Sequence, residues 1–260
     1  MSGPWVGNGK PRREEGADLN AYRPYSSLAA LGHSWPEGLL VLMYHAVAPP
    51  PLFHAFRGLY VTPGLLSRQV KELASIPLTT LTAWNRDRPP RRAVALTFDD
   101  AYRNLFEQGL PVLQRAKVPA LTYVVASLIG KTNEWDRERG ARTEPLMDRT
   151  QLNEWLRLGH EVGSHGITHR DLTQLPLQEA REEIVGSKKA LEDTFGQAVR
   201  HFCYPYGRWN EAVRDIVQEA GYETATTTDP GMNTAATDLF ALQRRLAGHE
   251  RPWLAALLRR

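Results

Sequence analysis

The stretch AVALTFDDAYRN, residues 93–104, indicates the class of fold. It opens with an apolar run of the length of a buried β-strand, and Asp99 and Asp100 end that run abruptly. The residues from Tyr102 to Ala116 then follow a helical period. A strand that leads through two carboxylates into a helix is typical of one unit of a β/α fold.

Comparable strand and helix patterns occur on both sides of this stretch. Apolar strands are predicted at LLVLMYH (39–45), ALTYVVA (120–126), HEVGSH (160–165), HFCYPY (201–206) and YETATTT (222–228). Helices are predicted after Pro63 and over 149–158, 176–195 and 210–220. Strands that alternate with helices predict a parallel sheet of the α/β class, and this number of units favours a closed or nearly closed barrel over an open sheet. The polar clusters fall at strand ends, where barrel enzymes place their sites.

Length and composition indicate an ordinary globular protein. The 260 residues suit one domain with a single core, and 42% hydrophobic and 23% charged residues exclude a disordered or fibrous chain. The net charge is +3, and the basic segment RDRPPRR (86–92) is interpreted as a solvated loop, so no nucleic-acid partner is expected. We expect an irregular extension over 1–37 and one barrel domain over 38–260.

Cysteine usage and the N-terminus bear on the compartment. Cys203 is the single cysteine, which excludes an internal disulfide. The segment MSGPWVGNGKPRREEG lacks the apolar core of a secretory signal, and the longest apolar stretch, 118–130, is too short to span a bilayer. We therefore expect a cytoplasmic protein without a transmembrane segment, unless a leader precedes this start.

Two adjacent carboxylates after a buried strand require a compensating positive charge. A divalent cation is one such partner for Asp99 and Asp100. Neighbouring side chains of an extended backbone point to opposite sides, so one carboxylate can bind a metal while the other reaches a different part of the site. Alternatively, Asp100 only caps the helix that begins near Tyr102.

Two further clusters follow predicted strands. In EVGSHGITHRD (161–171), His165 and His169 are four residues apart, a spacing that can turn both imidazoles toward one ion. Imidazoles with a carboxylate suit Zn²⁺ or a similar transition metal, although such a pair can also be structural. In HFCYPYGRWN (201–210), Pro205 and Gly207 favour a sharp turn that could aim the backbone N–H of Tyr206 at a developing oxyanion. A plain turn is the alternative.

Together, and in this order, the three clusters resemble the NodB-homology polysaccharide deacetylases, carbohydrate esterase family four. The matching residues are Thr97-Phe98-Asp99-Asp100, His165 with His169, and Pro205-Tyr206-Gly207. The resemblance spans about residues 39–246, and the combination is far more specific than any one motif. Tyr44-His45 is also similar to the opening of the subgroup that acts on surface polysaccharides such as poly-N-acetylglucosamine.

The resemblance implies a fold, an activity and a set of roles. The fold is a distorted (β/α)7-type barrel, and the activity is metal-dependent removal of N-acetyl groups from glycans that contain N-acetylglucosamine. The implied metal is Zn²⁺, with Co²⁺, Ni²⁺ or Mn²⁺ as alternatives. The implied roles are general base for Asp99, metal ligands for Asp100, His165 and His169, and oxyanion donor and substrate contact for Tyr206.

The sequence departs from the family pattern at several positions. Ala101 replaces the usual glycine at the expected helix start, and Cys203 stands where many members carry an arginine that orients the base. Arg244, in FALQRRL, resembles the arginine of a late family segment and is expected to take that role. His249 is the candidate for the late catalytic histidine, although its sequence context is equally consistent with a surface position. His45 is expected either to line the substrate pocket or to be hydrogen-bonded within the fold.

Two other functions stay open on this sequence. One is a non-glycan amidase on the same scaffold, because the motifs do not fix what surrounds the amide. The other is a barrel that binds glycan without catalysis, which the departures at Cys203 and at the general acid favour.

Overall fold

The structure is a computed structural model that describes residues 37–51, 56–84, 92–139 and 142–248. Nearly all of the predicted N-terminal extension lies outside these ranges, as do residues 86–91 of the basic segment and His249. The expectations for those residues stay predictions.

The described residues form short strands and five α-helices in alternation. The strands are β1 (Gly38–Tyr44), β2 (Ala46–Val47), β3 (Tyr60–Val61), β4 (Leu78–Thr79), β5 (Arg92–Phe98), β6 (Leu121–Val124), β7 (Glu161–Ser164), β8 (His201–Cys203), β9 (Thr224–Thr226) and β10 (Arg245–Leu246). The helices are α1 (Pro63–Leu73), α2 (Leu110–Ala116), α3 (Arg149–Arg157), α4 (Leu177–Phe195) and α5 (Glu211–Glu219).

The principal sheet is parallel throughout and curls toward closure. Its strand order is β10-β1-β5-β6-β7-β8-β9, and β4 pairs with the first half of β5. β1 and β5 pair along their whole length, from Gly38 opposite Arg92 to Tyr44 opposite Phe98. At the other edge, Thr226 of β9 bridges in parallel to Leu242, just before β10 returns to β1. The predicted α/β barrel is therefore confirmed.

Alternate residues along the strands pack into two different hydrophobic clusters, one on each face of the sheet. In β1, Leu40 and Leu42 pack with the helices, whereas Leu39 and Val41 belong to a separate cluster on the inner face of the curled sheet. β5 follows the same alternation, with Ala93 and Ala95 inside. Two further steps along the strand reach Thr97 and Asp99, so the alternation brings Asp99 to the inner side where β5 ends.

The helices match the predicted ones except after the aspartate pair. The segment Leu105–Gly109 is a wide π-helical turn before α2, where one regular helix was predicted from Tyr102 onward. Pro111 lacks the N–H that would bond to the carbonyl four residues earlier, which accounts for the interruption. Among the described residues, no helix combines the length and the apolar character that crossing a bilayer requires.

Candidate functional site

A tight turn at the end of β5 carries the two adjacent carboxylates. The N–H of Asp99 still donates to the carbonyl of Tyr44 at 2.8 Å, which extends the pairing with β1 by one residue. Asp100 (φ 69°) and Ala101 (φ 53°) then both adopt the left-handed conformation. Ala101 thus lies in this turn rather than at the helix start where it was expected, and the turn sends the two carboxylates in different directions.

The three predicted metal ligands lie together. Asp100 Oδ1 is 3.6 Å from His165 Nε2 and 3.5 Å from His169 Nε2, and all three side chains are buried. The two imidazole rings meet edge to face, with their centroids 4.7 Å apart. Residues separated by about seventy positions in the chain therefore direct their ligand atoms at one small volume.

The chemistry of this cluster fits a divalent cation. Asp100 Oδ1 is fully buried and has no hydrogen-bond partner, and the helical segment that follows has Asn104, not Asp100, at its N-cap position. Burial raises the pKa of Asp100; His165 partly opposes this shift and the negative charge of Asp99 adds to it, with a net pKa of about 7. A buried carboxylate of this kind is stabilised by a nearby positive charge, and one carboxylate with two imidazoles suits Zn²⁺ or a related ion.

Contacts outside the cluster fix the orientation of both histidines. His165 Nδ1 lies 2.7 Å from the carbonyl oxygen of Cys203, which requires that Nδ1 carry the proton and leaves Nε2 as the ligand atom. The ring of His169 stacks on Trp135 at 4.4 Å and meets the ring of Tyr206 edge-on at 4.6 Å. His169 itself has a left-handed backbone, with φ 64°.

Asp99 is held by Arg244 rather than by the metal ligands. Arg244, 1% exposed, donates from Nη1 to Asp99 Oδ1 at 2.6 Å and from Nη2 to Asp99 Oδ2 at 2.8 Å. The guanidinium also donates to the carbonyl of Thr227 at 2.7 Å and to Thr97 Oγ1 at 3.2 Å. Cys203 Sγ lies 3.1 Å from Arg244 Nη2. Arg244, from a late segment of the chain, therefore contacts both Asp99 and Cys203, the residue that stands where the resemblance led us to expect an arginine.

Electrostatics separate the two aspartates. Burial alone would raise the pKa of Asp99, but the charge of Arg244, the nearby His45 and the hydrogen bonds from Arg244 outweigh it and hold that pKa well below its usual range. Asp99 is therefore ionised at neutral pH. Two neighbouring carboxylates with pKa values pushed in opposite directions are suited to different chemical tasks.

A second set of potential ligands, Asp99, His165 and Cys203, lies beside the first. Arg244 already contacts both Asp99 and Cys203 and supplies a positive charge there. Burial also raises the pKa of the Cys203 thiol, which disfavours the thiolate that a metal would need. Of the two sets, the one built on Asp100 is the better cation site.

The two predicted substrate contacts border the site. His45 Nε2 lies 3.7 Å from Asp99 Oδ2, and burial lowers the pKa of His45 to about 4 despite the opposing effect of Asp99. The imidazole is therefore neutral at pH 7. Tyr206 (φ 59°) and Gly207 (φ 70°) form the sharp turn that was predicted. A Cβ on Gly207 would lie 2.1 Å from Thr228 Oγ1, so only glycine fits there.

Two residues that contact the site were not predicted. Trp135 lies in a 3₁₀ segment, Glu134–Arg139, and stacks on His169. This segment carries no recognisable sequence motif, so the contact could not be predicted. Glu183 lies on the buried face of α4 and accepts hydrogen bonds from the segment between the two histidines. The sequence did carry a signal for Glu183, because an acidic residue next to Ile184 interrupts the apolar stripe of a predicted helix.

The chain is similar in sequence to known polysaccharide deacetylases. The sequence model of a family described as polysaccharide deacetylase matches residues 86–225. YxkH of Bacillus subtilis, assigned to the polysaccharide deacetylases, is 28% identical over 216 residues, which cover 80% of this chain and 71% of that protein. A chitooligosaccharide deacetylase of Bradyrhizobium is 30% identical over 148 residues, covering 56% of this chain and 60% of that enzyme.

A solved structure shares the fold over nearly its whole length. The deacetylase PplD of Streptococcus pyogenes, determined in complex with acetate, superimposes with a TM-score of 0.70 at 25% identity. The match covers 82% of this chain and 93% of PplD. The curled parallel sheet of this chain is thus a barrel of the predicted distorted (β/α)7 type.

Proposed function

Since the chain belongs to the polysaccharide deacetylase family, we propose that it hydrolyses N-acetyl groups from glycans that contain N-acetylglucosamine, with the help of a bound divalent cation. The observation that carries the proposal is the convergence of a buried carboxylate oxygen without a partner, Asp100 Oδ1, with two imidazole Nε2 atoms beside a separately ionised Asp99. The name of the Bradyrhizobium relative, a chitooligosaccharide deacetylase, supports an amino-sugar substrate.

Asp100, His165 and His169 would hold the cation, with Zn²⁺ as the first choice and Co²⁺, Ni²⁺ or Mn²⁺ as alternatives. A divalent cation there would polarise the amide carbonyl and make a water molecule more acidic. The hydrogen bond from His165 Nδ1 to the carbonyl of Cys203 holds that imidazole in the tautomer that a metal requires.

Asp99 would act as the general base. Because Arg244 holds its pKa below the usual range, the carboxylate is free of a proton at neutral pH and can accept one from the attacking water. The two parallel bonds from Arg244 also fix the plane of the carboxylate, which is the positioning role that the resemblance implies for this arginine.

The remaining roles concern the substrate. The backbone N–H of Tyr206 would stabilise the oxyanion, for which one donor contributes about 3 to 4 kcal/mol in known enzymes. His45, neutral and beside Asp99, would contact the sugar or its acetamido group. His249 would protonate the departing amine.

Acetate release tests the proposal. Purified protein is incubated with defined N-acetylglucosamine oligomers, with small cyclic and linear amides as a comparison panel. We expect acetate from the oligomers, its loss after chelation, and its recovery on addition of Zn²⁺ or Co²⁺. Hydrolysis of the small amides alone would instead support the non-glycan amidase. Bound oligomer without acetate release would support the binding module.

A further inference from the structure

Helix α4 places a carboxylate within an otherwise largely apolar buried stripe. Glu183 is 7% exposed and lies between Ala180 and Ile184, both fully buried. Glutamate is seldom found in such a position unless hydrogen bonds or a counter-charge stabilise it. Among the described residues, the partners of the Glu183 carboxylate are hydrogen-bond donors rather than a lysine, arginine or histidine.

These donors all belong to the loop that joins the two predicted histidine ligands, residues 165–169. Glu183 Oε2 accepts from the backbone N–H of Ile167 at 2.8 Å and of Thr168 at 2.9 Å. Glu183 Oε1 accepts from the Thr168 hydroxyl. One side chain therefore satisfies two adjacent backbone donors in the middle of the loop.

The opposite side of the loop is fixed by the segment after β6. The carbonyls of Gly166 and Ile167 accept from the N–H groups of Ala126 and Ser127, both at 3.0 Å. Gly166 has φ 80°, and a Cβ there would lie 3.3 Å from Glu183 Oε2, so the carboxylate approaches the backbone closely. The loop is thus held between Glu183 and residues 126–127.

The loop ends at a residue whose backbone needs such support. His169 has φ 64°, a conformation that non-glycine residues seldom adopt and that persists when surrounding contacts impose it. In this conformation His169 Nε2 lies 3.5 Å from Asp100 Oδ1. Without Glu183, the backbone N–H groups of Ile167 and Thr168 would lose their shared acceptor, and nothing on this side would hold the loop in place.

We propose that Glu183 is a positioning residue for cation binding, which acts by holding the 165–169 loop so that His169 faces Asp100. This inference rests on the proposed function, because it assumes that Asp100, His165 and His169 bind a metal. Hydrogen-bonding partners that orient metal ligands change metal affinity by about 10- to 100-fold when they are removed.

Two substitutions separate position from charge. Glu183→Gln loses the charge but keeps the length and an amide oxygen for the two backbone N–H groups, and its NH₂ can donate to the Thr168 hydroxyl. Glu183→Asp keeps the charge but withdraws the carboxylate from the loop by one methylene. Glu182→Ala is the matched control, because Glu182 is the neighbouring carboxylate on the exposed face of α4.

The readouts are Zn²⁺ affinity, from equilibrium competition with a chromophoric chelator, and the absorption spectrum of the Co²⁺-loaded protein. We expect Glu183→Asp to bind Zn²⁺ about 10- to 100-fold more weakly than the wild type and to alter the Co²⁺ spectrum. Glu183→Gln should stay within about threefold of the wild type, since it replaces each hydrogen bond. Glu182→Ala should match the wild type in both readouts.

Wild-type affinity and an unchanged Co²⁺ spectrum in Glu183→Asp would overturn the inference, as would weak binding by Glu183→Gln with normal binding by Glu183→Asp. If Glu183→Asp does not fold, Thr168→Val decides, because it removes a single donor to Glu183. Several-fold weaker binding would support the inference and unchanged binding would refute it. Failure of the wild type to bind Zn²⁺ would refute the proposed function itself.

Discussion

Replacing Arg244 with methionine should remove a large part of the protein's stability. Arg244 is 1% exposed and donates two hydrogen bonds to the carboxylate of Asp99, which is 3% exposed. Methionine fills a similar volume but leaves Asp99 as a buried charge without its guanidinium counter-charge. Removing one member of a buried ion pair costs about 3 to 5 kcal/mol. The carbonyl of Thr227 also loses a donor, which favours the upper part of that range.

Urea denaturation of the metal-free protein, followed by tryptophan fluorescence, measures this loss. A change of that size should lower the midpoint by about 1 to 2 M. Arg245→Met is the control, because Arg245 is the adjacent residue and only half-buried, and we expect it to cost less than about 1 kcal/mol. The double variant Asp99→Leu with Arg244→Met should recover part of the stability, since it buries no unpaired charge.

Three results would contradict a stabilising role for the Arg244–Asp99 ion pair. The first is a cost below about 1 kcal/mol for Arg244→Met, the size expected of an ordinary surface change. The second is an equal cost for Arg245→Met, which would point to general damage in this segment. The third is a double variant no more stable than Arg244→Met, which would show that the charge of Asp99 is not what destabilises the single variant.

Further predictions concern the metal ligands, the Tyr206 turn and the buried histidines. His165→Ala should lose both Zn²⁺ binding in equilibrium dialysis and acetate release; stoichiometric zinc in this variant would exclude His165 as a ligand. Gly207→Ala should cost about 1 to 3 kcal/mol in urea denaturation, because its φ is 70° and its Cβ would lie 2.1 Å from Thr228 Oγ1; an unchanged midpoint would contradict the strain. Burial lowers the pKa of His160 to about 4 and that of His201 to about 3, so the unfolded chain, with histidine pKa values near 6.5, binds these protons first as the pH falls. The contribution of these two histidines to stability should therefore be constant above about pH 6.5 and decline toward pH 4, by up to about 1.4 kcal/mol per pH unit for each. The variant His160→Asn with His201→Gln should flatten this decline, and an unchanged slope would assign it to other groups.

The regular elements could be predicted where the chain carries a long local pattern. The run that ends at Asp99 has the length of β5, and the stripe of α4 has the period of a helix. The short strands were missed, namely β2 (Ala46–Val47), β3 (Tyr60–Val61), β4 (Leu78–Thr79) and β10 (Arg245–Leu246). Each has two residues, too few for a period, and each is defined by its pairing with another strand.

The residues of the candidate site that belong to short sequence motifs could be predicted. The structure brings Asp100, His165 and His169 together. It also places Arg244 against Asp99, the contact through which Arg244 was expected to orient the base. Motifs could not show that Ala101 lies in a left-handed turn, because that depends on how the chain leaves β5. Nor could they reveal the contact of Glu183 with the 165–169 loop, since α4 must first pack against the barrel.

We propose that Asp100, His165 and His169 hold a cation while Asp99 beside them accepts a proton. Zinc content and acetate release, measured on the same sample of Asp99→Asn, test it most directly. We predict about one zinc ion per chain, as in the wild type, with turnover reduced by about 100- to 10,000-fold because the general base is gone. Turnover at the wild-type rate, or loss of the zinc together with the activity, would contradict this division of labour between the two aspartates.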